Sequence, residues 1–435
     1  MAERRRVLRQ GLRGPVEFGR PEPAAPPGRR FRPAWAEVDL GAVRHNVAAL
    51  RRVAGAASVC AVVKADGYGH GAVRVAKAAL AAGATGLAVA LVEEGVELRE
   101  AGITGPVLLL SEPPPEAFDA VVAAGITPTI CSVEGARRAG VAARTLGASL
   151  SVHVKVDTGM HRVGASEDEV GAIAAAIADD PILRLEGVWT HLAVADGEAS
   201  EDRAFTRRQL ERFDGVLARL AAAGHRPPVV HAANSAGTIA WPASRYNLVR
   251  CGISLYGELP GPSAAGALAG PAGTPDPAGA VGGRRLRPVM TLHGRVSAVR
   301  ELDAGERPSY GRLRPLPVRS VVATVPLGYA DGLPRALFDA GYAVLIGGRR
   351  CPLAGMVTMD QIVVDCGPGS PVAPGDEVVL LGRQGSEEVT AVEWADLLGT
   401  ITYEVLCGIG PRVPRVYSGD EDLQTRTTVL PQPEQ

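Results

Sequence analysis

The chain has 435 residues, a formal net charge of −1 and 46% hydrophobic residues. That length accommodates two or three domains with sizeable cores, and the near-neutral balance excludes a surface built for nucleic acid or anionic membrane. No apolar stretch approaches a membrane span, and six scattered cysteines without a C-x-x-C pair read as reduced, buried thiols of a cytoplasmic protein.

Residues 1–33, rich in Arg, Pro and Gly without periodicity, read as a disordered arm. From residue 34 to 257 short β-branched runs recur near 59–63, 86–90, 107–111, 127–131, 150–156, 184–191, 229–233 and 248–253. Stretches of helical spacing lie between them, among them Val73–Ala82, Glu93–Ala101, Val133–Leu146, Glu167–Ala178 and Phe205–Ala223. Eight strands alternating with helices predict an α/β fold, a parallel (β/α)8 TIM barrel. A doubly wound open sheet competes, but no G-x-G-x-x-G opens a helix. Residues 258–287 are nearly all Gly, Ala and Pro and read as a linker or insert. Over 288–417 valine-rich runs at 290–299, 320–327, 342–346 and 377–381, with one helix near Val392–Leu398, predict a mainly β domain; 418–435 is a polar tail.

Lysine is scarce, with Lys64, Lys77 and Lys155 among 46 basic residues, so a surviving lysine points to a need for its amine. Arginine stays protonated and cannot replace it as a nucleophile. Lys64 ends the first barrel run in A-V-V-K-A-D-G-Y-G-H-G, and Lys155 lies in V-H-V-K-V-D-T-G-M-H-R-V-G. Barrels carry reacting groups at the C-terminal ends of their strands, and the last two loops commonly bind phosphate. There the scheme places Lys64, Lys155, Arg162, His191, Asn234, Ser235, Arg250, Gly252 and Ile253. Taken singly, a histidine in such a run reads as a core residue and S-A-G as an ordinary turn. Together, a lysine and a phosphate site at one mouth point to pyridoxal phosphate held as a Schiff base.

At this point the chain resembles the alanine racemases over roughly 35–417. The matching segments add H-A-A-N-S-A (231–236), R-C-G-I-S-L-Y-G (250–257), S-Y-G (309–311), G-Y-A-D-G (328–332), M-V-T-M-D-Q (356–361) and T-I-T-Y-E-V (400–405). The resemblance implies a homodimer of barrel plus β domain, each site completed by the other chain's β domain. It implies Lys64 as cofactor lysine and one base, and Tyr310 of the second chain as the other. Tyr68, Ser235, Gly252, Ile253 and Tyr403 are implied at the phosphate, Arg250 at the pyridine nitrogen, and His191 orienting Arg250 and Tyr310. Arg162 and Met359 are implied at the substrate carboxylate, Asp360 and Tyr329 near the entrance, and Lys155 as the lysine open to carbamylation by carbon dioxide. The implied activity interconverts L- and D-alanine, supplying D-alanine for peptidoglycan. A related racemase of serine or broader preference, a decarboxylase on the same barrel, and a non-catalytic pyridoxal-phosphate barrel are the rivals. Thr402, Thr358 and His161 depart from the family's common residues at their positions, and Thr358 borders the substrate pocket.

Overall fold

The computed structural model describes residues 32–261, 264, 280–281 and 284–419. Most of the expected arm, of the 258–287 insert and of the polar tail lies outside these residues.

Eight parallel strands form the barrel: β2 (Ser58–Val62), β3 (Gly86–Val89), β4 (Val107–Leu109), β5 (Thr129–Ile130), β6 (Leu150–Lys155), β7 (Leu183–Trp189), β8 (Val229–His231) and β9 (Leu248–Cys251). The ladder β4-β3-β2-β9 meets β5-β6-β7-β8 at two seams. At one, Leu109 N–H donates to Thr127 O and Thr127 N–H to Val107 O, both 2.9 Å; at the other, Arg250 N–H donates to Ala233 O at 3.0 Å. Strands covered by helices outside and filled by side chains within must be apolar on both faces, which is why they read as unbroken runs. β3 and β4 are buried throughout.

One expectation is corrected. The segment taken to open the barrel at residue 34 is β1 (Ala34–Asp39), and it belongs to the second domain's sheet. It lies antiparallel to β12 (Met290–Arg295) and parallel to β20 (Arg415–Ser418). Its outward alternation of buried and half-buried residues is that of a sheet with one covered face. The strand then leads into helix Leu40–Ala54, where Asp39 Oδ1 accepts from Ala42 N–H at 2.9 Å as the N-cap.

The second domain is mainly β. After two short strands, β10 (Ala280–Val281) and β11 (Arg284–Arg285), come β12, β13 (Ala298–Leu302), β14 (Ser320–Val325), β15 (Ala343–Ile346), β16 (Arg349–Pro352), β17 (Ile362–Gly367), β18 (Glu377–Gln384) and β19 (Glu387–Val389). The large sheet runs β16-β15-β18-β12-β1-β20, and β13-β14-β17 form a smaller one. The expected helix near Val392–Leu398 is Ala391–Leu398, capped by Thr390. Among the described residues no helix is long and apolar enough to cross a membrane.

Candidate active site

The barrel mouth holds a cavity of about 540 Å³. β2 delivers Lys64 to it. Beyond Val63 the backbone turns left-handed, with φ of 52°, 51°, 60° and 54° at Ala65, Asp66, Gly67 and Tyr68. That conformation costs roughly 1–2 kcal/mol per non-glycine residue. Hydrogen bonds hold it: Glu94 Oε1 accepts from Ala65 N–H at 2.6 Å, its other oxygen accepts from Ala90 and Leu91 N–H, and Asp66 Oδ1 accepts from Ala72 N–H. The turn sets Lys64 and Tyr68 on the same cavity wall. Burial, then the charge of Arg162, lowers the Lys64 amine below its ordinary value and so raises its neutral, nucleophilic fraction.

The loops after β8 and β9 build a cup. Ser235 opens the helix Ser235–Ala240, which Asn234 Oδ1 caps at Gly237 N–H, 2.8 Å. Asn234 therefore lines the cavity with its side-chain oxygen already committed. Ser235 Oγ accepts from Gly252 N–H at 3.0 Å and from Ser254 N–H at 3.4 Å. Gly252 must lack a side chain, because a Cβ there would stand 2.4 Å from Tyr68 Oη. Burial raises the Tyr68 hydroxyl and pushes that of Tyr403 up to about 12, so both remain donors at neutral pH.

Arg250 is 3% exposed and has no carboxylate partner among the described residues. Its Nη1 donates to His231 Nδ1 at 2.7 Å, and Nη2 donates to Thr190 O, Ala232 O and His191 Nδ1 at 2.9, 3.0 and 3.2 Å. Burial lowers it to about 10, which leaves it charged at neutral pH. Burial and then Arg250 hold His191 well below the usual imidazole range. A neutral His191 that accepts at Nδ1 carries its proton on Nε2. Lys155 is 5% exposed, and burial lowers its amine to about 8.

Lys64, Tyr68, Lys155, Arg162, His191, Asn234, Ser235, Arg250, Gly252, Ile253 and Tyr403 thus share one cavity. Tyr310, Tyr329, Met359 and Asp360 do not line it. Tyr310, Met359 and Tyr329 are 75%, 52% and 44% exposed, and Asp360 pairs with Arg412 Nη2 at 2.8 Å. They sit on neighbouring loops of the β domain. Tyr329 N–H donates to Thr358 O and Ala330 N–H to Met359 O, while Ser309 Oγ beside Tyr310 donates to Met356 O at 2.7 Å. Sequence reasoning missed Trp189, Cys407 and Ser111 in the cavity wall, and Glu94 and His231 behind it. His231 opens the H-A-A-N-S-A segment; the others carry no signal separable from an ordinary core or surface residue.

Four cations, Lys64, Lys155, Arg162 and Arg250, line the cavity and no carboxylate does. Such a lining takes an anion, and with a lysine amine across from a hydroxyl and N–H cup it fits pyridoxal phosphate. A barrel of this make with a β domain behind it defines a pyridoxal-phosphate enzyme of amino-acid chemistry. The family models described as alanine racemase N-terminal domain and C-terminal domain match residues 38–260 and 289–417. The chain belongs to the alanine racemase family. It is 47% identical over 390 residues to an alanine racemase of Symbiobacterium thermophilum, covering 90% of this chain and 98% of that one. To that of Carboxydothermus hydrogenoformans it is 44% identical over 392 residues, 89% of this chain and 100% of the other. Among solved structures it resembles the alanine racemase from D-cycloserine producing Streptomyces lavendulae, at 38% identity and TM-score 0.80, covering 91% and 99% of the two chains. It likewise resembles the Bacillus anthracis alanine racemase with bound L-Ala-P, at 35% identity and TM-score 0.79, covering 89% and 96%.

Proposed function

We propose that this chain interconverts L- and D-alanine with pyridoxal phosphate at the barrel mouth, as a homodimer in the cytoplasm that supplies D-alanine for peptidoglycan. The observation that carries the reading is the cavity lined by four cations, Lys64 among them, together with Tyr68, Tyr403 and Ser235, and by no carboxylate. When bound, the cofactor supplies an electron sink that loosens the proton on the substrate's Cα. Tyr68, Tyr403, Ser235, Gly252 and Ile253 would hold its phosphate. Lys64 holds it covalently and moves the Cα proton on one face. Arg250 faces the ring nitrogen; a guanidinium does not give up its proton, so the ring gains little acceptor strength and side reactions are disfavoured.

The opposite face needs a second base. In its own chain Tyr310 stands in solvent on the β domain. A second copy meeting the barrel mouth through that surface brings the partner's Tyr310 to the cavity, with Tyr329, Met359 and Asp360 around it. His191 Nε2–H then stabilises the phenolate, and Arg162 binds the substrate carboxylate. Lys155, with its amine lowered to about 8, has the neutral fraction that reacts with carbon dioxide, and the carbamate anchors Arg162.

Mixing two inactive variants tests the shared site. Lys64→Ala and Tyr310→Ala proteins, mixed under conditions of subunit exchange, should regain activity, since one hybrid site keeps both bases. Exchange without recovery places both bases in one chain and sinks the reading.

A further inference from the structure

Trp189 ends β7 and is 1% exposed. Two cations of the cavity lie against this one indole: Arg250 Cζ is 4.5 Å from the ring centroid and Lys155 Nζ is 4.4 Å from it. His231, which accepts from Arg250, stacks parallel to the same ring, with centroids 5.5 Å apart and planes 9° from parallel. The indole is itself fixed by Nε1–H donating to Thr129 Oγ1 at 3.2 Å. Arg250 therefore has neutral acceptors for its N–H groups and an aromatic ring near its charge centre, with no carboxylate anywhere in the contact set. A buried cation without a counter-ion is held only as well as these neutral groups hold it.

We propose that Trp189 is a positioning residue: its ring holds the Arg250 guanidinium in the orientation that would face the cofactor's ring nitrogen. This rests on the racemase reading of the site. The indole suits the task because its π face attracts cations without supplying a proton acceptor. A carboxylate in the same place would neutralise Arg250 but would also bring an acid partner toward the cofactor. Loss of the ring removes the aromatic contact at the guanidinium's charge centre and lets Arg250 shift on its hydrogen bonds, away from the pyridine nitrogen. That nitrogen then takes a proton from water. A protonated ring would be the stronger electron sink, and a proton delivered to the cofactor carbon instead of Cα would, after water hydrolyses the resulting imine, leave the amino group on the cofactor and release pyruvate.

The test compares holoenzymes carrying Trp189→Phe and Trp189→Leu. Leu removes the π face; Phe keeps a weaker one and loses the bond to Thr129. With 15N-labelled pyridoxal phosphate, the ring nitrogen should be unprotonated in the parent and in Trp189→Phe, and should titrate with a proton near neutral pH in Trp189→Leu. Pyruvate formed per racemisation turnover should rise about thirtyfold in Trp189→Leu and change much less in Trp189→Phe, a factor matching loss of one desolvated cation–π contact. If Trp189→Leu does not bind cofactor, 5-fluorotryptophan incorporation weakens the π face while keeping the shape. The same two readouts should then move in the parent background and stay still in a Trp189→Phe background, where the other three tryptophans remain. An unprotonated nitrogen and parental partition in the Leu or fluorinated protein overturn the proposal. A parent that does not racemise alanine overturns the functional reading instead, whatever the nitrogen reports.

Discussion

The two ends of the proposed site differ in how finished they are. On the barrel side Ser235, Arg250 and Lys155 are 3–5% exposed, and each is braced by neighbours that do not move with solvent. On the β-domain side Tyr310, Met359 and Tyr329 stand out from the surface on neighbouring loops, and around Tyr310 Ser309, Gly311 and Arg312 all have positive φ. Both are braced, one by burial and the other by backbone strain and loop-to-loop hydrogen bonds. Gly355 could not carry a Cβ, which would lie 2.4 Å from Pro308 O, and Gly328 is similarly closed against Thr358 O at 2.2 Å. A loop held this firmly in a solvent-facing pose is shaped before it meets anything. The barrel thus supplies a pocket lined for an anion, and in the proposed dimer the β domain is the lid of the partner's pocket.

The largest expected effect comes from removing the lid's phenol. Tyr310→Phe should leave cofactor absorbance and fold intact and lower racemisation by about 10²–10⁴ in both directions, the range for a lost general base. Near-normal rates would erase the distinction between the two sides, because the barrel alone would then perform the reaction.

Next is the cost of charge within the barrel. Lys155 has a folded value near 8 against an ordinary 10.5. The unfolded chain therefore binds more protons between those values, and stability rises with pH across the window. Below pH 8 the buried cation costs up to about 3 kcal/mol, less what its contact with Trp189 offsets. In urea unfolding of apoprotein under carbon-dioxide-free buffer, the parent should gain on Lys155→Met between pH 8 and 10.5. A constant difference between the two proteins would mean the amine is not buried as a cation. Added bicarbonate should change this difference if the amine is carbamylated.

A smaller effect is expected at the cup. Gly252→Ala places a methyl against the Tyr68 hydroxyl, and pyridoxal phosphate affinity should fall about tenfold, the scale of one overpacked contact. Equal affinity would show that the cup relaxes and is less rigid than its burial implies.

The mildest expected effect is at the lid's edge. Arg412 links Asp360 and the buried Asp331, and so ties the 356–361 loop to the 328–332 turn. Arg412→Ala should raise the KM for alanine several-fold with little change in kcat, as expected when binding rather than chemistry is disturbed. A fall in kcat alone would place Arg412 in the chemistry.

The barrel was legible because a strand buried on both faces must be apolar along its length, and all eight runs fall on β2–β9. The anion-binding mouth was legible because barrel geometry assigns strand ends to the site before any contact is known. β1 was not, since the same six residues satisfy either domain and only partners more than 250 positions away decide. The left-handed turn at 65–68 is not legible in the sequence, because three of its four residues are not glycine and the bonds from Glu94 and Asp66 hold their φ. Tyr310, Tyr329, Met359 and Asp360 rested on family resemblance alone. Exposed side chains leave no periodic trace in a sequence. Trp189 escaped notice because an aromatic in an apolar run is normally core, and its two cations come from β6 and β9.

β1 also fixes an order of assembly. Ala36 pairs with Arg415, so the first strand made must wait for one of the last. At about 5–20 residues per second, synthesis of the intervening chain takes on the order of 20–80 seconds. The barrel strands are complete by Cys251 and have all their pairing partners by then, while β1 has neither edge satisfied. Until β12 is made the nascent protein carries a strand with both edges open next to a folding barrel, and its second edge stays open until β20 arrives. The segment that joins the two domains most firmly is thus also the one longest exposed to mispairing.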